Sequence, residues 1–525
     1  MLLRLVRRSY AAVCPLSTEA ATAVKSTRSG GGTSTTTSSE GGTSTATSSG
    51  GRDTLGKRLL SLVYAKRSAV IAIRKWKEQG HPVRKYELNR IVRELRRHKR
   101  YKHALEVCEW MRVQDDIIQL VSGDYAVHLD LIAKVRGMNS AEKFFEDLPD
   151  KLKVQTTCTA LLHTYVQHKD TAKAESLMEK MSECGFLNCP LAYNHMLTLY
   201  ISQGQLEKVP RLIEELKKNS APDIVTYNLQ LGVFASQNNV EAAEKAFVEL
   251  KKAKLDPDWI TFSTLTNIYI KNSLQDKAKS TLREMEKRIS RKLRFAYASL
   301  ISLHTNLESK DEVFRIWKEM KSMFHKLNDT EYTCILSSLL KLDEFGEAMK
   351  LYTEWESVSV TKDTRISNLL LAAYINKNEM EKAVEFHNRM VQKSKPPSYT
   401  TWELLTWGYL KQKEMDKVVG FFKKAVTSVS KWDPDTKMVK EMFHVVEEQG
   451  NIQVAEQLLV TLRYAKYVNT EIYNALLRTY VNAGKMPMIV AERMKKDNVK
   501  MNEETQKLIG LTNKMTVTEV PDFVA

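Results

Sequence analysis

The chain has 525 residues, a formal net charge of +17, 43% hydrophobic residues and 27% charged residues. This length is too great for one compact domain, and no stretch approaches the roughly 20 consecutive apolar residues that a membrane span requires. The six cysteines are few for the length and include no CxxC pair, which argues against a disulfide framework and against a cysteine-rich zinc site.

The chain starts with MLLRLVRRSYAAV, which carries Arg4, Arg7 and Arg8, and no acidic residue precedes Glu19. On a helix this stretch is basic and amphipathic, and its apolar run is shorter than that of a secretory signal. The pattern predicts a mitochondrial targeting presequence over residues 1–25 and a location in the mitochondrial matrix, with the chloroplast less favoured.

Residues 26–52 consist largely of Ser, Thr and Gly and include the near-duplicate decapeptides GGTSTTTSSE and GGTSTATSSG. Such a composition cannot bury enough apolar surface to offset the entropy of ordering the chain. We therefore expect a disordered spacer.

The positive charge is concentrated directly after this spacer. Residues 51–113 carry +12, whereas the 412 residues that follow carry only +2. We predict a basic helical module over residues 53–86, and we expect the basic run that follows it to contact phosphates, although a solvated helix face is the alternative. The predicted phosphate contacts in this run are Arg93, Arg96, Arg97, Lys99 and Arg100.

From residue 155 to residue 434 the sequence repeats with a period of 35 residues. Eight aromatic, apolar or small residues, each expected in a first helix, are spaced by 35, 34, 35, 35, 35, 35 and 35 positions, and we call them anchors. They are Cys158, Tyr193, Tyr227, Phe262, Tyr297, Tyr332, Ser367 and Trp402. In most units an aromatic residue follows the anchor by seven positions, a small residue by sixteen, and Met or Leu by twenty-three.

These columns predict two packed helices in each unit, with the small residue allowing close approach and the larger side chains filling the groove. Leu88 and Tyr125 anchor looser units over residues 87–154, and Val439 and Tyr473 anchor looser units over residues 435–509. The predicted fold is all-α, a right-handed superhelical solenoid of about twelve 35-residue helix-turn-helix repeats. We expect residues 510–525 to form a flexible tail.

The segment IVTYNL at residues 224–229, ending its unit in Leu255-Asp256-Pro257-Asp258, resembles the pentatricopeptide repeat. The tetratricopeptide repeat, which has a similar period, carries a W-x2-L-G pattern that is absent here. The run from Val83 to Met111 is similar to a subgroup of plant mitochondrial members. Nothing after the last repeat resembles the zinc-dependent deaminase tail of the editing branch, so the resemblance is to the plain, tail-less class.

The resemblance implies that each repeat contacts one base of single-stranded RNA through the residue after the anchor and the residue that ends the unit. The expected base-reading pairs are Asn194 with Asp223, Asn228 with Asp258, Thr333 with Asp363, and Asn368 with Ser398. By the family's pattern the first two pairs favour uracil, the third guanine and the fourth a pyrimidine. Expected stacking residues are Leu191, Val225, Ile260 and Phe295, and further phosphate contacts are Lys271, Lys341 and Lys411.

Two alternatives stay open at this point. Each Asn could serve only to cap a helix, and the other repeats lack pairs that the family's pattern reads well, so we do not expect a long sequence-specific footprint.

The leading hypothesis is a non-catalytic RNA-binding protein that acts in transcript stability, processing or translation, with no cofactor, metal, membrane or small-molecule substrate. The other is a structural adaptor bound to the mitochondrial ribosome and its ribosomal RNA.

Overall fold

The computed structural model describes residues 54–62, 68–114, 118–290, 293–359, 364–393, 396–487, 489–513 and 515–517. The predicted presequence and spacer therefore lie outside the described residues. The described chain divides into two compact units, one ending at Ile289 and the other beginning at Ser290.

The first unit is built from fourteen described α-helices, with single 3₁₀ turns at Asp150–Leu152 and Leu206–Lys208. These are α1 Leu55–Leu60, α2 Ala69–Glu78, α3 Lys85–Arg97, α4 Tyr101–Val113, α5 Ser122–Arg136, α6 Met138–Glu146, α7 Gln155–Gln167, α8 Thr171–Glu183, α9 Pro190–Gln203, α10 Val209–Asn219, α11 Ile224–Ser236, α12 Val240–Lys252, α13 Trp259–Lys271 and α14 Gln275–Arg288.

The second unit contains thirteen described helices and one two-residue strand pair. The helices are α15 Arg294–Asn306, α16 Lys310–Met323, α17 Asp329–Lys341, α18 Phe345–Val358, α19 Arg365–Asn376, α20 Met380–Gln392, α21 Tyr399–Lys411, α22 Met415–Thr427, α23 Thr436–Gln449, α24 Ile452–Tyr464, α25 Thr470–Asn482, α26 Val490–Lys496 and α27 Glu503–Thr512. The strands are β1 Lys485–Met486 and β2 Thr516–Val517, which pair in parallel.

Consecutive helices form antiparallel-type hairpin pairs, and within each unit the first helix of a pair also packs against the first helix of the next, as α11 does on α13 and α19 on α21. Eleven such pairs run from α3–α4 to α23–α24 in the described chain, with α1–α2 before them, and α25 packs chiefly against α27. The predicted all-α repeat solenoid is thus confirmed. The β1–β2 pair was not predicted. Two helices cross predicted segment boundaries: α27 continues past residue 510, where the flexible tail was expected to begin, and α3 begins before residue 87, where the first repeat was expected to begin.

The repeated columns form the core. The small residues sixteen positions after the anchor are fully buried, as at Ala174 and Ala278, and so are Met285 and Trp355 in the column twenty-three positions after it. Each helix pair alone would leave these faces in water, so stacking on neighbouring pairs is what stabilises the fold. None of the described helices is long and apolar enough to cross a membrane.

A left-handed residue ends the first helix at the same place in nearly every repeat, eleven positions after the anchor. Its φ is +58° at Lys169, +74° at Gly204 and +53° at Asn238, and +56° to +60° in the four consecutive repeats from Glu308 to Lys413. This residue turns the chain into the second helix and leaves the two helices of the repeat side by side.

Candidate nucleic-acid interface

Asn194 and Asp223, a predicted base-reading pair, are in direct contact. Asp223 caps α11, where its Oδ1 accepts the backbone N–H of Thr226 at 2.9 Å. The same Oδ1 accepts a hydrogen bond from Asn194 Nδ2 at 3.0 Å, and the hydroxyl of Thr226 donates to Asn194 Oδ1 at 2.8 Å. The predicted pair is therefore part of a three-residue cluster that joins one repeat to the next, which we call a junction network.

The next repeat contains the same arrangement. Asn228 Nδ2 donates to Asp258 Oδ1 at 3.1 Å, and the hydroxyl of Thr261 donates to Asn228 Oδ1 at 2.7 Å. Asp258 also caps α13 by accepting the backbone N–H of Thr261 at 2.9 Å. The capping residue is thus the aspartate, Asp223 or Asp258, and the alternative that the asparagine itself caps a helix is wrong, because Asn194 and Asn228 lie inside α9 and α11.

Asn368 and Ser398 form the corresponding network in the second unit. Asn368 Nδ2 donates to Ser398 Oγ at 3.3 Å, and the hydroxyl of Thr401 donates to Asn368 Oδ1 at 2.9 Å. Thr333 has no such cluster among the described residues, because its hydroxyl donates to the carbonyl of Asp329 one turn earlier at 2.6 Å. Its expected partner Asp363 lies outside the described residues.

Sequence reasoning missed a fourth network near the C-terminal end of the array. Asn474 Nδ2 donates to Asn502 Oδ1 at 3.2 Å, and the hydroxyl of Thr505 donates to Asn474 Oδ1 at 2.7 Å. The signal was present, because Tyr473-Asn474 repeats the Tyr-Asn dipeptide found at residues 193–194 and 227–228.

A variant of the network occurs in the first repeat. Asn89 Nδ2 donates to Asp124 Oδ1 at 3.0 Å, and Lys85 Nζ lies 2.8 Å from Asp124 Oδ2. Burial raises the pKa of Asp124, but hydrogen bonds from Lys85, the backbone N–H of Val121 and Asn89 outweigh it and lower that pKa overall. Here a carboxylate takes the place of the threonine.

The four Asn side chains differ in their exposure. Asn194, Asn368 and Asn474 are buried, whereas Asn228 is half-buried. The capping residues Asp223, Asp258 and Ser398 are also only partly buried, so each of these networks has one polar edge toward solvent. Of the predicted asparagines, Asn228 offers the most accessible amide.

The predicted stacking residues face outward. In the first unit Leu191 is 45% exposed, and Val225 and Ile260 are partly exposed at the equivalent position of the next two repeats. In the second unit Phe295 is 59% exposed. Apolar side chains left in solvent beside polar networks are suited to contact the flat face of a base.

Internal contacts occupy much of the predicted basic run. Arg96 Nη2 lies 2.9 Å from the buried Asp130, Arg97 pairs with Glu94 at 2.7 Å, and Arg100 donates to the backbone carbonyl of Leu60. Their charges are partly compensated, and Arg96 and Arg100 tie neighbouring elements together.

Arg93 and Lys99 are exposed, and their side chains form no hydrogen bond or ion pair with the rest of the described chain. The same holds for Lys271 in the first unit and Lys411 in the second, whereas Lys341 Nζ donates to Asn306 Oδ1 at 2.6 Å. Four of the eight predicted cations therefore remain open to a phosphate.

These features define the class of the protein: an α-helical repeat array in which adjacent repeats are joined by polar networks and carry solvent-facing apolar side chains. The chain belongs to the pentatricopeptide-repeat family. Residues 222–271 match the PPR repeat family, residues 191–236 the pentatricopeptide repeat domain, and residues 156–186 and 366–394 the PPR repeat.

Two relatives from Arabidopsis thaliana are both named as mitochondrial pentatricopeptide repeat-containing proteins. One is 57% identical over 521 residues, covering 99% of this chain and 97% of the relative, and the other is 44% identical over 202 residues, covering 38% and 49%. The chain is accordingly a mitochondrial member, as residues 1–25 predicted, and of the plant type, as the run from Val83 to Met111 predicted.

The crystal structure of the pentatricopeptide repeat protein PPR10 from maize shares the fold, with a TM-score of 0.53 at 16% identity. The match covers 84% of this chain and 63% of the maize chain. The same maize protein in complex with an 18-nt psaJ RNA element matches with a TM-score of 0.32.

Proposed function

We propose that the chain binds a short segment of single-stranded mitochondrial RNA and acts, without catalysis, in transcript stability, processing or translation. One observation carries the proposal. The half-buried amide of Asn228 and the carboxylate of Asp258 lie between two repeats whose equivalent apolar residues, Val225 and Ile260, are both partly exposed. A base inserted between those two side chains would present its Watson–Crick edge to the Asn228 amide.

The remaining chemistry of this repeat supports the same role. Asn228 uses one N–H and one carbonyl lone pair inside the junction network, so one donor and one acceptor remain for a base. The exposed Lys271 is the last residue of α13, the helix that carries Ile260 in its first turn, and its side chain forms no ion pair within the described chain. Family members read about one base per repeat, so the site has the parts required for one nucleotide.

Binding is tested with the full chain and fluorescent single-stranded oligonucleotides of about twelve residues, roughly one per repeat. We expect oligouridine to bind more tightly than oligoadenosine, and Asn228→Ala to weaken oligouridine binding about three- to tenfold, the range set by one or two net hydrogen bonds. Oligoadenosine binding should change less.

Asn239→Ala is the matched control. Asn239 caps α12, the second helix of the same repeat, by accepting the backbone N–H of Ala242 at 3.0 Å, so its loss costs a cap without removing the amide of Asn228. Equal losses of oligouridine affinity in both variants would leave Asn228 with only a structural role and contradict the proposal.

The cellular target is tested by crosslinking the protein to RNA in isolated mitochondria and sequencing the attached fragments. Fragments concentrated at one or a few messenger sites support the proposed role in transcript metabolism. Fragments spread over ribosomal RNA would contradict that role and support a structural adaptor bound to the mitochondrial ribosome.

A further inference from the structure

The residue after the anchor varies with a second position in the following repeat. This second position is the third residue of the next first helix, directly before the next anchor. Five repeats carry Asn after the anchor, and four of them are followed by Thr. The four Asn-Thr pairs are Asn194 with Thr226, Asn228 with Thr261, Asn368 with Thr401, and Asn474 with Thr505.

Repeats with other residues after the anchor rarely have this threonine. The second position is then occupied by Ala192, Ala296, Glu331, Ile366, Met438 and Ile472, and by Thr157 in one case, where the preceding repeat has Ala126. Helix capping alone does not account for this association. Every repeat has a first helix that needs a cap, so capping alone would place threonine there whether or not the preceding repeat carries Asn.

The structure gives the reason. In all four pairs the threonine hydroxyl donates to the Asn Oδ1 of the preceding repeat, at 2.8, 2.7, 2.9 and 2.7 Å in chain order. The four threonines are at most 1% exposed, so water does not compete for this contact.

At three of the four junctions, helix capping uses the threonine hydroxyl as an acceptor and so leaves its proton available. Thr226, Thr401 and Thr505 each accept the backbone N–H of their capping residue, at 3.3, 3.0 and 3.3 Å. A hydroxyl has one proton and two lone pairs, so a hydroxyl that accepts at the cap still has its proton to donate. The capping side chain also lies within reach of that proton, at 3.0, 3.0, 3.1 and 2.7 Å in chain order, but the asparagine Oδ1 is nearer at the first three junctions and equally near at the fourth. The contact with the asparagine Oδ1 turns the amide nitrogen toward the capping residue, as Asn194 Nδ2 is toward Asp223.

A fixed amide presents its remaining N–H and lone pair in one spatial order. Uracil and cytosine carry opposite donor and acceptor orders at two neighbouring positions of their Watson–Crick edge, so an amide held one way suits only one of them. An amide free to reverse would suit both.

We infer that Thr261, and the equivalent threonine of each junction network, is a positioning residue whose hydroxyl fixes the preceding asparagine so that it distinguishes uracil from cytosine. The inference rests on the proposed RNA binding. It makes the base preference of one repeat depend on how the first helix of the next repeat begins.

The contribution of the threonine depends on the capping residue. The Asp258 carboxylate only accepts hydrogen bonds and therefore also disfavours the reversed amide of Asn228. The Ser398 hydroxyl donates or accepts, so at that junction only Thr401 sets the direction. Replacing Asp258 with serine thus converts the more accessible junction to the type in which the threonine acts alone.

The test selects bound RNAs from a single-stranded pool randomised over about twelve positions and reads base frequencies at each position by sequencing. The position that faces Asn228 is identified as the one whose preference is lost in Asn228→Ala. In wild type and in Asp258→Ser we expect a uracil-to-cytosine ratio that departs from one by at least about fivefold there. Adding Thr261→Val to Asp258→Ser should bring that ratio below about twofold, while Thr261→Val alone has a smaller effect.

Two controls separate positioning from folding. Thr261→Ser keeps the hydroxyl and should keep the ratio. Thr157→Val removes the same buried capping hydroxyl, which lies 3.1 Å from the backbone nitrogen of Val154, at a junction with no asparagine, and should also keep it.

The outcomes distinguish this inference from the proposed function. An unchanged ratio in Asp258→Ser/Thr261→Val, or an equal loss of binding for all sequences, would overturn the positioning role while RNA binding by the wild type stands. A wild type with no position that depends on Asn228 would overturn the proposed base reading itself.

Discussion

At the scale of single residues, His195 is buried where protonation of its imidazole is strongly unfavourable. It is 7% exposed, its ring centroid lies 4.9 Å from that of His163, and its Nδ1 has no hydrogen-bond partner in the described chain. Burial, and then the neighbouring His163, lower the pKa of His195 from 6.5 to about 3. The folded protein therefore holds this imidazole neutral where the unfolded chain would protonate it.

This predicts acid sensitivity of the first unit. The pKa of His195 is lower in the folded protein than in the unfolded chain, so its contribution to the free energy of unfolding is fully present above pH 6.5. As the pH drops from 6.5 toward 3, protonation of the unfolded chain lowers that free energy by about 1.4 kcal/mol per pH unit. His195→Leu should flatten the dependence of the free energy of unfolding between pH 7 and pH 5, measured by urea denaturation. An unchanged slope would contradict the neutral, buried state of His195.

Glu456 and Arg493 form a buried ion pair in the second unit. Glu456 is 1% exposed and Arg493 9% exposed, Arg493 Nη1 lies 2.8 Å from Glu456 Oε1, and Tyr480 donates its hydroxyl to the same oxygen at 2.9 Å. Buried charges of this kind are costly to separate and contribute little as a pair.

We therefore expect Glu456→Leu alone to reduce the free energy of unfolding by about 3 to 5 kcal/mol, because it leaves the Arg493 charge buried without a partner. The double variant Glu456→Leu/Arg493→Met should be clearly more stable than the single one. Urea denaturation followed by circular dichroism measures both. A double variant no more stable than Glu456→Leu would contradict the cost assigned to the unpaired Arg493 charge.

Of the four residue pairs predicted from the sequence, three are in contact in the structure, and the fourth includes Asp363, which lies outside the described residues. The hydrogen bonds of these pairs with the next helix were not predicted. Asn194–Asp223, Asn228–Asp258 and Asn368–Ser398 lie 29 or 30 positions apart, whereas Asn474–Asn502 lies 28 apart and was lost when the terminal repeats drifted from the period. The partners of Arg96 and Arg100 could not be predicted, because they depend on how far apart neighbouring elements pack rather than on local pattern.

At the scale of elements, the backbone conformation of the turn after each first helix is more uniform among the repeats than its sequence. Glycine takes the left-handed position at Gly204, Gly450 and Gly484, but Lys, Asn, Ser, Glu or Asp takes it elsewhere. The sequence therefore predicted the helices but gave no common signal for the turn between them. Tertiary packing of the two helices holds the non-glycine residues in a conformation that costs roughly 1 kcal/mol or more.

The same substitution at two glycines should have opposite effects. Gly204 has φ +74°, so Gly204→Ala places a Cβ in a left-handed turn and should be destabilising relative to Gly232→Ala. Gly232 lies inside α11 with open space around its Cβ position, so Gly232→Ala should stabilise the protein by about 0.5 to 1 kcal/mol.

Both changes reduce the freedom of the unfolded chain equally, so the difference between them reports on the folded backbone alone. Thermal unfolding of the two variants measures it. Gly204→Ala as stable as Gly232→Ala would mean that the turn tolerates a Cβ and that its left-handed residue is not under strain.

At the scale of the whole molecule, the helices of the described chain pack mainly on helices that are one or two elements away in chain order. In the second unit, α18 packs on α17 and α19, and the buried Trp355 of α18 donates its indole N–H to Asp329 Oδ1 of α17 at 2.9 Å. A fold built in this way behaves as a chain of repeats with nearest-neighbour coupling, so a local defect should remain local.

Trp355→Ala tests this directly. The side chain is 1% exposed, so truncation should cost about 3 to 5 kcal/mol through lost packing and a residual cavity. Hydrogen exchange followed by mass spectrometry should show faster amide exchange in α17 to α20, while peptides from residues 122–252 keep their wild-type rates.

Leu216→Ala, at a fully buried position of α10, is the reciprocal change and should accelerate exchange around α9 to α12 without affecting α17 to α20. Both variants remove a buried side chain, so a general effect of lost burial would appear in both. The comparison therefore reports where along the chain amide exchange becomes faster. Faster exchange along the entire chain in either variant would mean that the repeats unfold as one cooperative body.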